Sequence, residues 1–546
     1  MGIWSSMWTG VTGLLATSEK MSVIGNNLAN VNTVGYKTQN TLFEDMISQN
    51  VSTGAGTGQI GLGVRVAAIR NDMSQGSLQT TTSSTDLAIG GNGFFIVRAP
   101  NTSTDYYTRA GSFLFNKDGQ LVDSNNDVVQ GWKVDTNRVQ QLEAQNQPIS
   151  QVPIEGALGD VQMSQFTLKA RPTSLLTMIA NLDSTATSAS PNATNPLFGL
   201  EQNYHYTSNS SSAIAGTAFD YSSSLKVYDQ NGATHTATIY YDKVSNSGGK
   251  AYWDFIVTVP GSDDGRTIGG VKMSSTSQAG LLMTGTLTFD ASGDLINESA
   301  YTLQSNATPT TGANGSSFAL SQWTAAKVSN GYPLCTANFK QVSGASGTKS
   351  TNAVSFGVNL GLSNLNGWQA GAASNAQAAQ DYYWANPTNK FGAIQGFNPA
   401  TTVTGNNVTT NYATSSSTTY ASQDGYAPGL LQSVSVDTNG VLSGTFSNGQ
   451  NQQLFVIGLA NFTNQWGLRR EGNNLFSATL NSGQALTNRP NTGGLGSISS
   501  DTLEQSNVDM ATQLVDMITT QRAFEGDSKV ITTADTLISE LIQLKR

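Results

Sequence analysis

Cysteine and histidine are almost missing from this 546-residue chain, and their scarcity excludes much of the chemistry a protein can carry. A lone cysteine, Cys335, permits no intramolecular disulfide framework and reads as a small buried apolar side chain. The two histidines, His205 and His235, have no close histidine or cysteine to complete a zinc site, so no metal and no cofactor is expected. His235 sits in an alternating pattern and reads as a surface or cross-strand residue of a strand. No Gly-x-Ser-x-Gly elbow precedes a helix, and no catalytic residue is assigned. The chain is not expected to be an enzyme.

Charge is equally thin. Only 12% of residues are charged, about half the usual share. The 27 basic and 36 acidic side chains give a net charge of −9 without a basic patch, which excludes nucleic acid as a partner. No apolar run approaches the length that crosses a bilayer, so membrane insertion is not expected. Before Lys20 there is no basic residue, and Thr9, Gly10, Thr12 and Gly13 interrupt any apolar core, so no cleaved leader is expected.

What is abundant is glycine (56 residues), with serine, threonine and asparagine, on a 38% hydrophobic background that still builds cores. The length suits about three or four domains. The two ends read as helices. Ile3, Met7, Val11, Leu14, Met21, Ile24, Leu28 and Val31 recur in steps of three and four. Gly10, Gly13 and Gly25 each cost about 1 kcal/mol against alanine, leaving that helix marginal by itself. Val508, Ala511, Val515 and Ile518 form a second stripe, and Ile531, Ala534, Ile538 and Leu541 a third, with a kink or change of partner expected around Arg522 to Gly526. Stripes at opposite ends of one chain bury each other most economically as a coiled coil. The fold class expected is therefore α+β and multidomain: paired N- and C-terminal helices, with mainly-β domains inserted between them.

Between the ends, strands and turns dominate. Asp118-Gly119, Asn231-Gly232, Asn439-Gly440 and Asn448-Gly449 are tight-turn dipeptides, and Leu225–Tyr228 with Thr236–Tyr240 brackets one as a hairpin. Strands are also expected at Phe94–Val97, Trp253–Val259, Gly285–Phe289, Val434–Val436 and Leu454–Leu459. Residues 184–197, 302–317 and 401–422 read as Ser/Thr/Asn/Gly-rich loops or linkers. Gly56-Thr57-Gly58-Gln59-Ile60-Gly61 spells a dinucleotide fingerprint. A helix-like segment (Leu42 to Gln49) precedes it and a strand-like one (Val64 to Ile69) follows, the reverse of the order that motif needs, so the glycines read as a flexible connector.

Several of these segments resemble the flagellar rod and hook family, the axial proteins of the bacterial flagellum. Asn26-Asn27-Leu28-Ala29-Asn30-Val31-Asn32-Thr33 with Gly35-Tyr36-Lys37 resembles its N-terminal signature, of which Asn27, Asn30, Asn32, Gly35 and Tyr36 are the marking positions. Gly91-Asn92-Gly93-Phe94-Phe95-Ile96-Val97, Tyr107-Thr108-Arg109-Ala110-Gly111-Ser112-Phe113, Asp118-Gly119 and Val129-Gln130-Gly131-Trp132 follow in the family's order. Phe446-Ser447-Asn448-Gly449-Gln450, Gly472-Asn473-Asn474-Leu475-Phe476 and Met517 to Glu525 resemble the hook members in particular.

The resemblance implies a structural subunit that polymerises with itself into the flexible tubular joint between rod and filament. Its implied partners are the distal rod protein, the hook cap, the hook–filament junction proteins and the type III export apparatus, and its implied place is the extracellular hook. Residues 1–35 with 500–546 would form the inner tube, 36–75 with 488–499 a linker and hairpin, 76–165 with 425–487 an inner β-domain. Residues 166–424 would form one outer β-domain or two, dividing near 300. The inner-tube contacts would come from Val11, Leu14, Met21, Ile24, Leu28, Val31, Val508, Val515, Ile518, Ile531, Ile538 and Leu541. Phe43 and Ile47 resemble an early export motif and equally fit a helix-face packing pair. A distal rod protein and an extracellular β-rich adhesin are the alternatives; the helical ends favour the first over the second.

Overall fold

A computed structural model describes every residue except 1–2, 54–55, 101, 145–147, 164–165, 193, 209–211, 313–314, 340–351, 393, 395 and 545–546. The chain separates into two compact units, Met1–Phe166 with Leu430–Arg546, and Thr167–Gly429.

In the first unit the N-terminal helix spans Ile3–Ala29 and the C-terminal helix Met510–Leu544. They run antiparallel: Gly10 faces Ile531, Gly13 faces Asp527, and Asn27 bonds Gln513. Asp509 starts the second helix, its Oδ1 accepting from the Ala511 and Thr512 amides at 2.9 and 3.3 Å. Those bonds hold the Asp509 carboxyl below the usual range. The helix runs unbroken through 522–526, where the sequence suggests a kink or a change of partner. Residues Gln521 to Gly526 are all exposed, so nothing packs there that would force a bend.

Gln39–Asp45 and Val64–Asn71 form a hairpin, carrying an inner pair Gln49–Thr53 and Gly56–Ile60. Two expectations fall here. The segment after Leu42 is strand to Asp45, not helix, and the glycine-rich segment is a paired strand, not a connector. Cross-strand pairing with the β-branched run at Val64 overrides a weak local helical pattern.

The β-domain of this unit interleaves residues from both halves of the sequence. Val128–Val134 pairs with Phe94–Arg98 on one edge and with Asn451–Ile457 on the other. Phe95, Val97, Phe113, Val129, Leu442, Ile457 and Leu459 close its core. Leu87–Gly90 pairs with Ser497–Ser500, and Leu78–Thr80 with Thr502–Glu504. The segment that leads to the C-terminal helix therefore runs antiparallel beside the segment that enters the β-domain.

The second unit places a six-stranded sheet, from Tyr221–Tyr228 to Trp323–Ala325, against a five-stranded one. Trp253, Phe255, Leu287 and Phe289 of the first meet Leu176, Met178, Cys335 and Phe356 of the second in one buried cluster. The hairpin about Asn231-Gly232 forms as read. The division expected near residue 300 falls inside the strand Leu295–Leu303, and Leu175–Asn181 shares its sheet with Asn352–Asn359 and Ser417–Gln423. Two expected linkers contain strands, Ser417–Gln423 and the Thr310–Gly312/Gly315–Ser317 pair. Threonine and tyrosine suit a pleated surface, and a polar composition hid that. His235 lies in a strand opposite Val227, its ring stacked on Phe339 at 3.8 Å.

Five turns in the two units share one device. Asn116, Asp123, Asp229, Asp290 and Asp437 each accept, on Oδ1, the amides two and four residues on, at 2.8–2.9 Å. The third residue on, Gly119, Asn126, Gly232, Gly293 or Gly440, takes a positive φ of 69–89°, where glycine and asparagine carry little strain.

Candidate assembly surface and its anchor

The seam between the two terminal helices mixes small, polar and aliphatic side chains. Gly10, Gly13, Ala16, Ile24 and Asn27 are buried on the N-terminal helix. Opposite them stand Gln513, Thr520, Asp527 and Ala534, seven residues apart on the C-terminal helix. Of the expected seam residues, Ile24 and Val508 are buried, while Val11, Leu14, Met21, Leu28, Val31, Ile531 and Ile538 are half-buried. Val515, Ile518 and Leu541 point outward, 60%, 57% and 56% exposed. Intramolecular burial does not take the most apolar stripe, because the glycines let the backbones meet on a different line.

Around that seam lie wide apolar faces: Trp4, Trp8 and Leu15 on one helix, and Leu514, Val515, Ile518, Phe524 and Leu541 on the other, all exposed. Single exposed apolar residues are ordinary; eight along two helices are more than a solvent-facing surface needs. Phe43 and Ile47 are also exposed, on and just beyond a strand, so the helix-face pair is not there; Ile47 is 89% exposed.

The signature residues form the base of the helices. Asn27 is buried and uses its whole amide: Nδ2 donates to Gln39 O (2.8 Å) and Gln513 Oε1 (3.0 Å), and Oδ1 accepts from Gln39 N (3.0 Å) and Tyr36 Oη (3.2 Å). Asn30 Nδ2 donates to Asn26 O at 2.8 Å and closes the helix end; Asn32 is exposed on the following turn. Gly35 has φ +70°, and a Cβ there would stand 2.5 Å from Ala110 N. Tyr36 lies under the Arg470 guanidinium, 4.7 Å from its ring centre, and Arg470 also donates to Lys37 O.

Three charged residues that the sequence reading did not single out complete this base. Glu504 accepts from Lys37 Nζ at 2.6 Å and from Arg109 Nη1 at 3.1 Å, with all three side chains buried. Burial pulls the Lys37 ammonium below its ordinary value against the opposing pull of Glu504, and burial lowers Arg109 likewise. Asn507 ties the same region, accepting from Thr38 N and Oγ1 at 2.8 and 2.7 Å and donating to Asp72 O at 3.0 Å. The available signal was charge itself: in so weakly charged a chain, Lys37 and Arg109 stand inside otherwise uncharged motifs, while nothing marks Glu504 as their partner.

Comparison with known families defines the class. Residues 7–37 match the flagella basal body rod protein family, 88–165 the flagellar hook protein FlgE/F/G D1 domain, 181–426 the flagellar basal body protein FlaE D2 domain, and 499–544 the flagellar basal body rod FlgEFG protein C-terminal family. This is an axial protein of the flagellar rod and hook. The flagellar hook protein FlgE of Treponema pallidum is 30% identical over 556 residues, covering 99% of this chain and 99% of that one. That of Borreliella burgdorferi is 30% identical over 550 residues, again covering 99% of both. The Escherichia coli protein is 26% identical over 539 residues and 98% of both chains. The chain belongs to the flagellar hook protein FlgE family, and its role is that of a structural subunit of the hook. The solved structure of Helicobacter pylori FlgE2 covers 78% of this chain and 100% of its own at 13% identity and a TM-score of 0.43, too distant to carry detail.

Proposed function

We propose that this chain builds the hook by self-polymerisation of its terminal helices, paired as a coiled coil, into an inner tube around which the β-rich remainder packs. The observation that carries the reading is the apolar faces left open on both helices beside the seam within the chain. Copies of the same chain would cover those faces. Different patches on head and tail give a heterologous contact that does not close on itself, and so a helical tube. Val11, Leu14, Met21, Leu28, Val31, Val515, Ile518, Ile531, Ile538 and Leu541 would contribute to the tube, with Ile24 and Val508 holding the pair from within.

A tube that bends while it turns must shorten and lengthen its contacts in every revolution. Uncharged Ser, Thr, Asn and Gly surfaces exchange water-mediated contacts at low cost, which suits a torque-transmitting joint. On this reading the subunit leaves the cell through the flagellar export apparatus, with Phe43 and Ile47 exposed for recognition. It then stands outside the cell between the distal rod protein and the junction proteins, under the hook cap during growth.

Electron microscopy of the full-length chain concentrated in solution tests this: curved tubes are expected. Straight tubes would favour a distal rod role, and absence of polymer would sink the assembly reading. Removing residues 503–546 should leave a soluble β-rich monomer, and tubes from that truncated chain would overturn the role given to the helices.

A further inference from the structure

Three stretches of chain, separate in sequence, converge on a fourth at Glu504. Oε1 accepts from Lys37 Nζ at 2.6 Å and from the Gly76 amide at 2.9 Å, and Oε2 accepts from Arg109 Nη1 at 3.1 Å. The backbone carbonyl of Glu504 accepts from the Gly35 amide at 2.7 Å. The two cations are themselves anchored, Lys37 Nζ on Ser74 O at 2.6 Å and Arg109 Nη2 on Gly91 O at 2.8 Å. Lys37 follows the N-terminal helix, Ser74 and Gly76 follow the hairpin, Arg109 belongs to the β-domain, and Glu504 leads to the C-terminal helix.

Two buried cations on one buried carboxylate make an arrangement that is stable whole and costly in part. Removing the anion leaves two unneutralised charges out of water, whereas removing one cation leaves a neutral pair. We propose that Lys37, Glu504 and Arg109 form an electrostatic latch that docks both helix-bearing arms onto the β-domain together and fixes the direction in which the helix pair leaves it. Either arm alone leaves the latch open: without the C-terminal arm Lys37 and Arg109 face each other, and without the N-terminal arm Lys37 and the Gly35 amide are missing. The latch gives the assembly reading a conformational step, and in that sense rests on it.

The asymmetry of the charges supplies the test. In the full-length chain, Glu504→Gln should speed amide exchange at Gly35 and Gly76 by tenfold or more, and raise the concentration needed for tubes by a similar factor. Lys37→Met should have a smaller effect, and Lys37→Met combined with Glu504→Gln should recover much of what Glu504→Gln loses. Glu504→Asp, which keeps the charge but draws it back by one methylene, should fall between and serves if the glutamine variant does not fold. Exchange is read on dilute chain and on concentrated material. Protection of both amides that Glu504→Gln leaves unchanged, additive losses in the double variant, or absence of protection in wild type in both states would overturn the latch. Wild-type chain that protects these amides but never forms tubes would instead refute the assembly reading and leave the latch standing.

Discussion

Replacing Gly13 by leucine tests whether the two terminal helices meet along the line the glycines draw. A Cβ on Gly13 would sit 2.5 Å from Asp527 Oδ2, and one on Gly10 would sit 3.1 Å from Ile531 Cγ1, whereas one on Gly25 meets nothing within 4 Å. Two effects of opposite sign compete. Removing a glycine from a helix interior gains about 1 kcal/mol of helix propensity. Forcing a side chain into a filled contact costs about 1–3 kcal/mol. At Gly25 only the gain applies, so Gly25→Ala should raise the helical signal of the dilute chain. At Gly13 alanine needs only a rotation of the Asp527 carboxylate and should come out near neutral. Leucine, the largest intrusion, has no such escape: its cost lies at the upper end of that range, about 2–3 kcal/mol, so it should lose about 1–2 kcal/mol of pairing net of its propensity gain. At tenfold for each 1.4 kcal/mol, that raises the concentration at which tubes appear by roughly 5–30-fold. Circular dichroism of dilute chain and sedimentation of polymer across a concentration series measure both halves. If Gly13→Leu assembles at the wild-type concentration, the helices do not approach at Gly13 and the antiparallel seam is wrong.

Burial pushes the Glu298 carboxyl up to about 8, and neither of its oxygens has a hydrogen-bond partner among the described residues. The native state therefore keeps a proton that the unfolded chain releases above about pH 4.5, and stability of the second unit should fall as pH rises from there to about 8. The same sign holds for Glu201, pushed up to about 7 by burial, and for Asp254. Glu298→Gln should flatten the pH dependence of thermal unfolding, and an unchanged slope would refute this account. At the turn after Asp437, Asp437→Ala removes the oxygen that accepts from two amides and should cost about 1 kcal/mol. Gly440→Val should cost more, because φ is +74° and a Cβ would press Pro490 at 2.7 Å; equal melting shifts for the two would count against that order.

Much of the architecture was legible because it is written locally. Alternation and turn dipeptides located the Asn231-Gly232 hairpin, and an uninterrupted apolar run located Phe94–Arg98. What failed had its cause outside the segment. Leu42 to Asp45 joins a sheet only because Val64–Ile69 lies beside it, and Ser417–Gln423 because Leu175–Asn181 does. Long-range pairing of this kind leaves no local trace in a serine- and threonine-rich stretch. The latch could not be read for the same reason: Glu504 lies 467 residues beyond Lys37 and 395 beyond Arg109, and spacing cannot announce an ion cluster closed by the fold.

The outward turn of Val515 and Ile518 follows from a different limit. Periodicity reports how apolar a helix face is, not what covers it. A subunit destined for a polymer has two kinds of burial to arrange, one within the chain and one against its copies, and the stronger stripe need not serve the first. Here the internal contact runs along Gly10, Gly13, Ala16, Val23, Ile24, Thr520 and Ala534 and leaves Val515 and Ile518 outside it. Had the strong stripes closed on each other, the single chain would be satisfied and would have no reason to assemble. On the assembly reading proposed above, neighbouring copies would cover those open faces, while the buried charges at the base of the helices would set the direction in which the faces are offered.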